Sequence, residues 1–73
     1  MKEKNKIAKT KTIFQVSKGN RSAVIGQYES GRIALLFTGD SDHDGKYYDI
    51  NKREIPKAKN VARQFVNTDN IKW

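Results

Sequence analysis

The chain has no cysteine, one proline, one methionine, one tryptophan and one histidine in 73 residues. Without cysteine there is no disulfide framework and no thiolate metal site, and the chain suits a reducing cytoplasm. A lone histidine excludes a zinc site built on paired histidines. No apolar run approaches the roughly 18–20 residues that a membrane-spanning helix needs. The polar, lysine-rich stretch behind Met1 lacks the apolar segment of a secretory signal. There is no G-x-S-x-G, no P-loop and no cysteine nucleophile, which points away from an enzyme and from a bound cofactor. Leu, Ile, Val and Phe together make up 16 of the 73 residues, just above the roughly 20% level below which chains stay disordered. The length and the scarcity of apolar residues allow one thin core and no second domain.

What the chain has in excess is positive charge. Fifteen Lys and Arg stand against eight Asp and Glu, for a net charge of +7. The excess is uneven: residues 1–39 carry +6, residues 40–50 carry −3 and residues 51–73 carry +4. Such a balance points to a polyanionic partner. Residues 1–10 alternate lysine with small or polar residues and offer only Ile7 and Ala8 as apolar anchors. They bury too little to offset their ordering entropy and read as a mobile basic arm ahead of one small globular domain over residues 11–73.

From Lys11 the pattern is that of short strands. Thr12 to Val16 is β-branched and aromatic and ends at Lys18-Gly19-Asn20; Ala23 to Tyr28 leads into the Ser30-Gly31 turn. Arg32 to Thr38 is apolar on both faces, with Ile33, Leu35 and Phe37 on one side and Ala34 and Leu36 on the other, so coverage of both faces is expected. Lys46 to Ile50 reads as a fourth strand. Pro56 then opens a different period. Ala58, Val61, Ala62, Phe65 and Val66 fall at i, i+3, i+4, i+7 and i+8, the apolar stripe of an amphipathic helix, with Asn67 just past its end. The expected fold is mainly β: a four-strand antiparallel meander plus one C-terminal helix. The competitor is a small SH3-like or Sm-like barrel that uses Glu54 to Lys57 as its fifth strand.

Three groups of residues are candidates for chemistry. Asp40-Ser41-Asp42-His43-Asp44-Gly45 matches the first half of the D-x-D-x-D-G calcium loop, but the glutamate due at position 12 is Asn51. Asp40, Asp42 and Asp44 are therefore at most a weak cation site on a polar loop, and His43 reads as a solvated side chain within it. Lys52 and Arg53 precede the helix, and Lys57, Lys59 and Arg63 lie on or near it. With Lys9 and Lys11 of the arm they form the expected phosphate-contacting set, since backbone phosphates dominate nucleic-acid affinity, and Arg32 is the candidate for base contacts. Tyr28 and one of the adjacent Tyr47 and Tyr48, with Tyr47 favoured as the exposed one, are the candidate stacking residues.

The expectation is a non-enzymatic nucleic-acid-binding module, for DNA or RNA, in a cytoplasmic and membrane-free setting. The lysine-, asparagine- and isoleucine-rich composition suits a bacterial or phage source. The alternative is a small phage or mobile-element modulator that docks on a host protein, with Trp73 or Tyr28 as its anchor.

Overall fold

The computed structural model describes residues 11–73, and the basic arm expected over residues 1–10, including Lys9, lies outside the described residues. Four strands follow one another: β1 (Lys11–Lys18), β2 (Arg21–Gln27), β3 (Ile33–Thr38) and β4 (Tyr47–Ile50). They pair antiparallel in the order β1-β2-β3-β4, and a helix, α1 (Ile55–Phe65), packs mainly on β2 while also touching β1 and β3. This is the open meander with one C-terminal helix.

The turns explain the pairing. Gly19 takes the positive φ (60°) that a two-residue type II′ hairpin requires at its first central position, between Lys18 and Arg21. Gly39, with φ 130°, ends β3 where the β1–β2 turn passes closest. A Cβ there would overlap the Asn20 carbonyl oxygen and lie 2.6 Å from the Arg21 Cα. The register of β1 against β2 slips between Thr12 and Phe14, so Ile13 is an extra residue in the ladder, a β-bulge. As a result Ile13 and Phe14 both pack against the core, while Thr12 turns to the other side of the sheet.

The helix begins on strong local signals. Asn51 and Glu54 form a reciprocal capping box around the short 3₁₀ turn Lys52–Glu54, and Pro56 occupies the first helical turn. These signals commit residues 51–57 to helix, so the fifth strand of a barrel has no chain to form it. The barrel alternative is thereby corrected: β1 and β4 remain free edges.

All five residues of the expected helical stripe are buried, together with Ala23, Ile25, Ile33, Leu35 and Phe37 from the sheet. The Phe37 and Phe65 rings stack at 4.4 Å between centroids, and Tyr48 meets Phe37 edge-on at 5.6 Å. Trp73 leans back on Tyr48 at 5.6 Å and Ile71 packs against the core. Among the described residues nothing packs on the opposite face of the sheet. The expectation that both faces of β3 are covered is therefore corrected: only the Ile33-Leu35-Phe37 side lies beneath the helix.

A polar clasp closes the far end of the helix. Arg21 donates through Nη1 to the Phe65 carbonyl at 2.9 Å, pairs through Nη2 with Asp69 at 2.9 Å, and lies over the Phe65 ring at 5.3 Å. A cation at a helix C-terminus meets the negative end of the macrodipole. Asp69 also accepts from the Ser41 hydroxyl at 2.7 Å, which ties the β3–β4 loop to the C-terminal segment. His43 follows that loop inward. Its ring meets Phe37 and Phe65 edge-on at 6.1 and 6.3 Å, and its Nε2 is 3.1 Å from the Asp69 carbonyl oxygen. Its Nδ1 is buried without a partner. A proton on Nε2 satisfies the carbonyl and leaves Nδ1 as a bare acceptor, less costly to bury than a stranded N–H. The expectation of a solvated His43 is corrected in part: aromatic contacts and the Asp69 carbonyl leave it half-buried.

Candidate functional site

The basic residues ahead of and along α1 fall on two flanks of the helix. Lys52 and Arg53 sit on the 3₁₀ turn, and Lys57 lies in the first turn of α1, all three exposed. Lys59 and Arg63, one helical turn apart, both lean over the Phe14 ring of β1, at 5.6 and 5.3 Å. This cation–π contact holds two like charges on one side of the helix with their stems on apolar surface. The single acid of the segment 51–68 is Glu54. Its carboxylate is already used, accepting from the Asn51 N–H at 2.9 Å. The described ion pairs lie elsewhere, Arg21 with Asp69 and Arg32 with Asp49. Over residues 51–68 five cations thus stand against one carboxylate, with Lys59 and Arg63 on the β1 flank of α1 and Lys57 about 200° around the helix from Lys59.

The remaining candidates divide. Lys11 is exposed at the start of β1, opposite Gln27. Arg32 is bound bidentately to Asp49, Nε to Oδ1 at 3.1 Å and Nη2 to Oδ2 at 3.0 Å, and it lies 5.9 Å from the Tyr28 ring centroid. Its guanidinium is held above the usual arginine range, chiefly by the Asp49 hydrogen bond and then by that carboxylate's charge. Sequence reasoning offered Arg32 for base contacts; the geometry gives it a carboxylate partner and leaves Nη1 without a hydrogen bond among the described residues. In the aspartate loop, Asp44 accepts from the Gly39 N–H at 2.9 Å. Among the described residues no three His, Cys, Asp or Glu side chains are grouped so as to hold a metal ion.

Tyr28 and Tyr47, 19 positions apart in the chain, come together on the open face of the sheet. They line one concave slot of about 490 Å³ with Val24 and Leu36. Its floor is Gly26 and Ala34, paired across β2 and β3, and Thr12 closes it on the β1 side. Tyr48 takes the other side of β4 and packs in the core. Asp49 pairs with Ala34 in register, which sets the Arg32–Asp49 pair at the margin of the floor. Sequence reasoning missed Thr12, Val24, Gly26, Ala34 and Leu36. The available signal was period-2 alternation, which puts Val24, Gly26 and Tyr28 on one face of β2.

The slot and the cationic surface meet at one end of the sheet. β4 ends at Ile50, opposite Ile33, so Lys52 and Arg53 leave the sheet beside Arg32 and the turn that carries Tyr28. No helix among the described residues is long and apolar enough to cross a membrane. Comparison with protein-family models, with curated proteins and with solved structures finds no match to this chain.

Proposed function

We propose that the chain is a non-enzymatic nucleic-acid-binding module that holds the phosphate backbone through Lys52, Arg53, Lys57, Lys59 and Arg63. The observation that carries this reading is the excess of positive charge around α1, where five cations stand against Glu54 as the one acid of residues 51–68. Exposed unpaired cations attract phosphates and release condensed counterions, which makes binding tight at low salt and insensitive to sequence. Lysine in the first turn opposes the helix macrodipole. A helix that carries Lys57 there gives up stability, and an anionic partner recovers it.

Titration of labelled duplex and single-stranded oligonucleotides at several salt concentrations tests the reading. Log K falls linearly with log salt, with a slope of about −3 to −5 for four to six engaged cations. Joint charge reversal of Lys57 and Lys59 weakens binding to all sequences and flattens the slope. Absence of binding to duplex DNA, single-stranded DNA and RNA at about 50 mM salt, within the range where such contacts are strong, refutes it. A 1:1 protein complex that survives nuclease would put the host-protein modulator in its place.

A further inference from the structure

We infer that the open face of the sheet receives unstacked bases, so that the nucleic acid this module takes is single-stranded. The inference rests on the phosphate-binding reading and adds the strand state and a second, base-contacting site. The slot lies within the range of small-ligand pockets, about 300–1,000 Å³. Its shape suits a flat ring: Gly26 and Ala34 make a floor with almost no side chain, and Tyr28 and Tyr47 supply aromatic walls. Base–aromatic stacking is tolerant of sequence because every base has a π-face. The slot itself carries no unpaired cation among the described residues, so a phosphate gains nothing by entering. The Arg32–Asp49 pair at its margin presents a free Nη1 donor beside a carboxylate acceptor, the two functions that the edge of a base can meet.

Charge complementarity selects this occupant. The strand that would thread the slot emerges at the sheet end bearing Lys52 and Arg53, which lead on to Lys57 in the first turn of α1. A phosphate track there and bases turned onto the sheet are compatible with one single strand bending around that end. A duplex keeps its bases stacked inside and reaches only the cations. A second copy of the chain fits less well, since it would bring the same net charge of +7 to a face bordered by Lys52 and Arg53.

The test compares a thymidine oligonucleotide with an abasic oligonucleotide of equal length, which keeps the phosphates and lacks the bases. Wild type is expected to bind the thymidine strand about 5- to 150-fold more tightly for each base engaged. The thymidine strand should also shift the amide resonances of Gly26, Ala34 and Leu36, whereas the abasic strand should shift only those of residues 52–63. Tyr28→Ala, Tyr47→Ala and the slot-filling Ala34→Leu should each bring thymidine affinity toward the abasic value while abasic affinity and salt slope stay unchanged. Lys57→Glu should weaken both probes alike. Equal wild-type affinity for the two probes, or thymidine binding without shifts at Gly26 and Ala34, overturns the base slot and leaves the phosphate surface standing. Failure of both probes to bind overturns both readings.

Discussion

The same strands build two unlike faces. On β3, Ile33, Leu35 and Phe37 lie under the helix and are at most 5% exposed, whereas Leu36 on the open side is 40% exposed. The covered face is held by large apolar side chains with aromatic stacking at its centre. The open face has small residues in the middle, tyrosines around them and polar side chains such as Ser22 and Thr38 toward the far end. Most of the buried apolar side chains lie on one side of the sheet, while on the open side Ala34 at the floor of the slot is 6% exposed. The cations of the helix are outside the core they flank.

The sharpest way to break that division is to cut into the covered face. Phe65→Ala removes one partner of the Phe37 stack and the ring beneath Arg21, and large core truncations of this kind cost about 3–5 kcal/mol. Against a total near the low end of about 5–15 kcal/mol, the variant should be largely unfolded by far-UV circular dichroism at room temperature. Leu36→Ala, one strand residue from the core but on the open side, should cost under about 1 kcal/mol in a urea melt, as exposed substitutions do. Equal losses for the two would erase the distinction between the faces.

A smaller effect is expected at Gly39, where sheet and loop meet. Gly39→Ala combines an unfavourable positive φ with overlap against the Asn20 carbonyl. It should cost about 1–3 kcal/mol and lower the melting temperature by about 4–8 °C per kcal/mol.

The clasp beyond the helix sharpens the comparison through pH. The Asp69 carboxyl is held below its ordinary range, first by the Ser41 hydroxyl and then, against some desolvation, by Arg21. A lowered folded-state value means that the carboxylate adds stability above the unfolded value, near pH 4. That contribution is lost as pH falls through the folded value. Acid titration of the fold should therefore steepen below about pH 4, and Asp69→Asn should flatten that limb. An unchanged acid limb in the variant would show that the clasp contributes nothing.

The smallest effect has opposite signs in two measurements. Lys57→Glu places an acid in the first helical turn, where the macrodipole favours it, and should raise stability by about 0.3–1 kcal/mol. The same change should weaken nucleic-acid binding. A variant that is both more stable and unaltered in binding would remove Lys57 from the phosphate surface.

The sequence made the helix and its buried stripe legible because Ala58, Val61, Ala62, Phe65 and Val66 repeat at the helical period and Pro56 marks the entry. The strands were legible from alternation and from glycines at turns. The bulge was not, because Ile13 and Phe14 are both apolar and either one satisfies a core position. Ala34 and Leu36 suggested a covered second face, since their apolar character does not say whether they lie beneath a layer or line a concavity. His43 looked solvated among aspartates because its partners, Phe37, Phe65 and Asp69, are brought to it only by the closed fold. The basic residues of 52–63 are close together in the chain, but which flank of α1 each takes is set by the helix and by Phe14 of β1. The slot could not be read directly, since Tyr28 and Tyr47 become neighbours only through the register of two strand pairs, β2–β3 and β3–β4.

The strand order has a consequence in time as well as in space. Each strand lies beside its sequence neighbour, and the connections run to only two, five and eight residues. Closing such loops costs little entropy, and the cost grows only slowly with length. The sheet can therefore zip from the β1–β2 hairpin outward without any distant pairing to search for. The helix, reaching back from the β4 edge to β2, makes the longest return. Local connectivity of this kind places refolding toward the fast end of the range for mixed α and β domains, so the hydrophobic face of the sheet is left uncovered only briefly before the helix docks.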